Sequence, residues 1–202
     1  MRTISKDSCA IIESPRGFES LNLYDKLLND NREIFFTNEV TAQSCSNLLT
    51  ELIYLNRIEP DKTITLYLNS LGGSVIDGLA VYDVIRLLDA PVKTVCVGTC
   101  ASMGAILFLA GTEREIIEHG RIMIHDPSFG MQHDISGKKP HQIQLELDEL
   151  NKWRESLAKI ISERTERPLE EIYEATANDT YFNAEEAVKF GLATHIIKKG
   201  GI

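Results

Sequence analysis

Two stretches in the middle of the chain constrain the fold more than any other feature. KTITLYLNS (62–70) and PVKTVCV (91–97) are short runs rich in β-branched and aromatic residues, the pattern of buried strands. Each hands over through a short turn to a helical pattern. LGGS leads into SVIDGLAVYDVIRLLDAP, and Gly-Thr-Cys-Ala-Ser leads into a helix from Met103 to Ala110 that stops at Gly111. Strands that alternate with helices of ordinary length are joined by crossovers. The spacing therefore predicts an α/β domain built from βαβ units.

The rest of the chain extends this pattern. LNLYDKLLNDN predicts a short helix and REIFFTNEV a strand. In TAQSCSNLLTELIYLNRIEP, Leu48, Leu49, Leu52, Ile53 and Leu55 have helical spacing, closed by Pro60. REIIEHGRIMIHDP reads as two brief strands around His119-Gly120. From Pro140 one long helix follows, with Ile143, Leu147, Leu150, Trp153, Leu157, Ile160 and Ile161 as an apolar stripe and charge on its other faces. A short helix over Leu169–Thr176 begins at Pro168, and NDTYFNAEEAVKFGLATHII closes with a turn, a helix and a strand. The first twenty residues read as mobile or partner-dependent, with Pro15 and Gly17 marking entry to the domain. Residues 1–14 are thus set apart from a single domain over 15–202.

Composition narrows the function classes. With 202 residues, 43% hydrophobic and 25% charged, the chain fills one domain with a full core. A formal net charge of −9 argues against nucleic acid as partner, because phosphate binding needs a basic footprint. No apolar run reaches membrane-spanning length, and the first twenty residues contain no secretory h-region. Cys9, Cys45, Cys96 and Cys100 fit reduced cysteines of a cytoplasmic protein, and no His or Cys pair follows Cys96 and Cys100 to complete a metal site.

Three residues have the types and positions for nucleophilic catalysis. Ser102 stands at the first turn of a helix after a buried strand. Its hydroxyl can cap free N–H groups there, or act as a nucleophile beside donors that bind an oxyanion. His125 ends the alternating strand RIMI, where side chains emerge in parallel sheets, and fits either a general base or a surface or capping histidine. Asp179, in NDTYF before the last helix, is placed to orient that histidine or to cap a helix. The Gly72-Gly73 pair in NSLGGS allows a close backbone approach or a plain tight turn. It is no phosphate loop, since GxxxxGK is absent throughout.

From about Pro15 onward the chain resembles the proteolytic-subunit family of the Clp protease. The resemblance rests on SPRGFESLNLYDKLLNDNREIFF, LYLNSLGGSVIDGLAVYDVI, GTCASMGAILFLAG, RIMIHDP and NAEEAVKFGLATHI in that order. It implies a crotonase-like fold and a serine endopeptidase, with Ser102 as nucleophile, His125 as base and Asp179 as orienting acid. The backbone N–H groups of Gly73 and Met103 fall on the family's oxyanion hole. The resemblance further implies two stacked seven-membered rings around a chamber, with a handle region over about 128–165 joining them. It also implies unfolded protein substrates delivered by a hexameric AAA+ ATPase. The chain itself then needs no cofactor, ATP being used by the partner.

Four departures from the family pattern stand out. Leu71 replaces a usual Pro beside the glycine pair, which removes a fixed φ. Asn178 stands where an Arg often pairs across the ring interface. Thr65 stands where an aromatic often lines the ATPase docking pocket, although Tyr67 remains. The segment SFGMQHDISGKKPH is a few residues longer than usual. These departures suit a divergent paralogue, and the alternative to an independent peptidase is a weakly active or regulatory subunit that requires a second subunit of the family. Two further alternatives are acyl-CoA chemistry on the same fold, which needs no Ser-His-Asp set, and a non-enzymatic adaptor.

Overall fold

A computed structural model describes residues 9–14, 17–130 and 134–201. Its centre is a seven-stranded sheet. Strands β3 (Glu33–Phe36), β4 (Ile64–Ser70), β5 (Val92–Ala101), β6 (Glu113–Ile116) and β9 (His195–Ile196) lie side by side in that order, all parallel. Strand β7 (Arg121–Ile124) pairs in parallel with the far end of β5, and β8 (Thr180–Phe182) runs antiparallel to β7. The crossovers contain α2 (Ala42–Ile58), α3 (Val75–Leu87) and α4 (Met103–Leu109). Thr41, Ser44 and Ser74 satisfy the free amides at the starts of α2 and α3. The α/β architecture expected from the alternating pattern is the one observed.

Ahead of the sheet, β1 (Cys9–Ser14) and β2 (Gly17–Asn22) form a separate antiparallel hairpin that runs into α1 (Leu23–Lys26) and one π-helical turn over Leu27–Asn31. Residues 9–14 and 17–22, most of them within the stretch that reads from the sequence as mobile or partner-dependent, pair with each other in this hairpin. Residues 1–8, Pro15 and Arg16 lie outside the described residues. The hairpin's alternation is too weak for a pattern reading, because apolar and small residues fall on both parities.

Helix α4 is the core of the molecule, with every residue from Met103 to Leu109 buried. A helix apolar on all sides must be covered on all sides. β4, β5, α3 and α5 (Pro140–Thr165) supply that cover. Only the C-terminal half of α5 takes part, through Leu157, Ala158 and Ile161. Ile143, Leu147, Leu150 and Trp153 of the expected stripe stay half-buried or exposed, because that half of the helix projects beyond the domain. α6 (Leu169–Thr176) and α7 (Ala184–Phe190) complete the chain.

Three arginines, Arg32 and Arg114 buried and Arg164 half-buried, tie backbone segments together. Arg164 donates to Leu109 O at 2.8 Å and Gly111 O at 2.6 Å, closing the carbonyl end of α4. Arg114 donates to Leu192, Gly191 and Arg164 carbonyls, and burial pushes its guanidinium down to about 10. Arg32 spreads its guanidinium over the carbonyls of Leu55, Glu59, Lys62 and Thr63, where α2 turns toward β4. Removing it leaves these acceptors short of a donor in a site that is 6% exposed. Arg32→Met is therefore expected to lower the free energy of unfolding by about 2–3 kcal/mol in a urea titration.

Candidate active site

Three chain segments converge on Ser102, and β5 decides where they meet. The expected tight turn over Gly98–Ala101 is absent, because the strand continues through Ala101. Leu68 faces Cys96, but Ser70 faces Cys100, so two steps along β4 span four along β5. The extra residues form a bulge. Asn69 fills it: its side-chain oxygen accepts from Thr99 N–H at 3.0 Å, and a Cβ on Gly98 would lie 2.5 Å from that oxygen. At the bulge β5 also exchanges β6 for β7 as its partner. Two buried thiols flank it. Burial pushes the Cys100 thiol well up, and a hydrogen bond with Cys100 pulls Cys96 down.

Ser102 lies at the hinge between β5 and α4 with φ 53° and ψ −125°, a conformation rarely adopted by a residue with a side chain. It is held there from two sides. Its N–H donates to Met123 O of β7 at 2.9 Å, and its carbonyl accepts from Ala105 and Ile106 of α4. The hydroxyl makes no cap bond, so the capping account of this serine does not hold. Instead Ser102 Oγ lies 2.8 Å from His125 Nε2.

His125 follows β7 directly and Asp179 precedes β8, so the β7–β8 pairing of Ile124 with Thr180 carries both toward one another. His125 Nδ1 is 3.3 Å from Asp179 Oδ1. A carboxylate only accepts, so Nδ1 carries the proton and Nε2 is free to accept from the serine hydroxyl. Asp179 does not cap the last helix. Asn183 does so, in a reciprocal box with Glu186. The other described histidines are elsewhere: His195 bonds Glu115 at 3.0 Å, His119 sits in a turn, and His141 stands at the start of α5. His133 lies outside the described residues.

The glycine pair lies against the serine hinge. Gly72 has φ 97°, and a Cβ there would approach Ser102 Cβ to 2.7 Å and Met103 N to 2.9 Å. Gly73 pairs with Val40: Val40 N–H donates to Gly72 O and Val40 O accepts from Ser74 N–H, each at 2.8 Å. In a parallel bridge of this kind the amide of the middle residue faces away from the partner strand. Gly73 N–H is thus turned from Val40, and Met103 N–H, the first of its helix, has no acceptor within that helix. No sequence signal marked Val40, since its part is played by its backbone. Leu71 is 76% exposed, and the turn is fixed without a proline by Ser70 Oγ, which donates to Asn38 O and accepts from Gly72 N–H.

Ser102, His125 and Gly73 open onto a cleft of about 1090 Å3, also lined by Asn69, Leu71 and Phe129. Beneath Ser102 and His125 lies a small apolar recess walled by Val75, Met103, Ile106, Leu157 and Ile161. Among the described residues no three His, Cys, Asp or Glu side chains are grouped to hold a metal ion, and no helix is long and apolar enough to cross a membrane.

Residues 15–200 match the family model described as Clp protease. The chain belongs to the Clp protease family. It is 39% identical, over 94% of both chains, to ATP-dependent Clp protease proteolytic subunit 2 of Parasynechococcus marenigrum. It is 38% identical over the same shares to proteolytic subunit 1 of Prochlorococcus marinus. Against proteolytic subunit 2 of Chlamydia pneumoniae the identity is 38%, over 92% of this chain and 89% of the relative. The family is one of serine peptidases, and the chain is a hydrolase of that type.

The tight stack of Gly72 on Ser102 makes a direct prediction. Gly72→Ala is expected to slow the reaction of Ser102 with a fluorophosphonate by about 100-fold, because displacing reacting groups by an ångström has an effect of that order. Intact-mass kinetics would measure it.

Proposed function

We propose that Ser102, His125 and Asp179 hydrolyse peptide bonds by acyl transfer. The observation that carries this reading is the 2.8 Å contact between a strained, non-capping serine hydroxyl and His125 Nε2. Ser102 Oγ attacks the scissile carbonyl carbon while His125 Nε2 takes the hydroxyl proton. Asp179 holds the imidazole in the needed tautomer and stabilises the imidazolium. The carbonyl oxygen becomes an oxyanion that Gly73 N–H and Met103 N–H bind, the helix start adding a favourable dipole. Collapse breaks the C–N bond, and His125 returns its proton to the leaving amine. Water then attacks the acyl-enzyme carbonyl while His125 Nε2 takes its proton; the C–Oγ bond breaks, His125 returns the proton to Ser102 Oγ, and the acid product is freed. The recess walled by Val75, Met103 and Ile106 suits an apolar side chain beside the scissile bond.

The projecting half of α5 supports assembly with further subunits. Leu145 and Leu147 are exposed there, on a helix that rises well past its own domain. We read it as the handle joining two stacked seven-membered rings, of this chain alone or mixed with a second proteolytic subunit. The named relatives are parts of ATP-dependent proteases, and unfolded proteins delivered by an AAA+ ATPase of the Clp type are the substrates this reading assigns. ATP is then consumed by the partner, the chain itself uses no cofactor, and the place of work is the cytoplasm.

Fluorophosphonate labelling followed by intact mass tests the reading. The wild type is expected to gain one adduct per chain and Ser102→Ala none. An unlabelled wild type would remove Ser102 as an activated nucleophile in this chain alone.

A further inference from the structure

Asp126, the residue after His125, has its backbone N–H and both carboxylate oxygens engaged. Its backbone N–H donates to Thr176 O at 2.7 Å, and its Oδ1 accepts from Thr176 Oγ1 at 2.7 Å. Its other carboxylate oxygen accepts from Arg154 Nε of α5 at 2.6 Å. The Arg154 guanidinium in turn lies 4.5 Å above the ring of Tyr173 in α6, so its plane is fixed by a second contact. Thr176 is 3% exposed, which shields its paired bonds from water. Three elements, the end of β7, the end of α6 and the middle of α5, therefore meet on one carboxylate.

The position of this junction matters because of what flanks it. His125 adjoins Asp126, and Asp179 follows Thr176 by three residues. On one side of the His125–Asp179 contact the chain is held by the β7–β8 pairing of Ile124 with Thr180. On the other it is held by the doubled bond between Asp126 and Thr176. Asp179 itself has little to hold it, being 61% exposed in a contact of 3.3 Å. We propose that Asp126, Thr176 and Arg154 form a positioning clamp that sets the His125–Asp179 contact, so that α5 governs the reactivity of Ser102. None of the three touches the reacting atoms; each acts through the two segments it ties. In the sequence Arg154 is one more charge on a charged helix face, which is why only the fold discloses it.

The clamp rests on the catalytic reading above, and its test separates the two. Wild type, Arg154→Met, Arg154→Lys and Asp126→Ala full-length proteins are compared in three readouts. These are the rate of fluorophosphonate adduct formation, its final stoichiometry, and hydrogen exchange of peptides covering 122–127, 176–182 and α5. Arg154→Met and Asp126→Ala are expected to reach the wild-type stoichiometry at a rate roughly 10- to 100-fold lower, since the effect is one of misplacement. Arg154→Lys, which keeps the charge, is expected to restore most of that rate. Exchange is expected to rise in both peptides together in the two slow variants. A merely structural role would lower the stoichiometry and leave the rate per labelled site unchanged, which would overturn the proposal. An unchanged rate, or faster exchange confined to α5, would overturn it as well. If wild-type Ser102 takes no adduct, the catalytic reading falls, and exchange alone decides whether the tie between the two segments exists.

Discussion

The site depends on a strand that outruns its neighbours. β5 continues five residues past the point where β6 stops pairing with it, through a bulge plugged by Asn69, and finds a new partner in β7. That single extension carries Ser102 to the strand that ends at His125. Without it, serine and histidine would emerge from strands that do not pair. The cost is a backbone angle at Ser102 that few side-chain-bearing residues adopt, typically about 1–3 kcal/mol, offset by the burial of the whole of α4 immediately after it.

The same geometry explains why small residues cluster on both sides of the hinge. Gly72 must admit Ser102 Cβ and Met103 N, Gly73 must admit Val40 O at 2.3 Å from where its Cβ would be, and Gly104 must admit Ser70 O. Each is a place where two backbones meet without a side chain between them. Among the described residues no hydrogen bond takes the amides of Gly73 and Met103, as the proposed oxyanion hole requires. Preorganised donors of this kind need no rearrangement when an oxyanion forms.

Much of this was legible in the sequence, and the failures have physical causes. The alternating strands and helices follow from strong periodicity, and Leu169–Thr176 follows from Pro168. The far end of β5 carries no pattern signal, because Gly98, Thr99, Cys100 and Ala101 are small and do not alternate, although a bulged strand is what such residues allow. β8 reads as a turn in the sequence, since three residues give no period. The apolar stripe of α5 is a true helical pattern, but only its C-terminal half is covered, as burial depends on what lies opposite. Ser102 and His125 stood out as candidates, whereas Asp179 had an equally good local account as a helix cap until Asn183 proved to hold that place. Gly73 and Met103 came from resemblance alone, because a backbone donor leaves no mark on the identity of its residue.

The most direct test is a crystal structure of the Ser102 adduct with a peptidyl phosphonate. The account predicts the phosphoryl oxygen within about 2.7–3.1 Å of both Gly73 N and Met103 N, with His125 still facing Asp179. A phosphoryl oxygen turned to solvent, or bound by other donors, would contradict it.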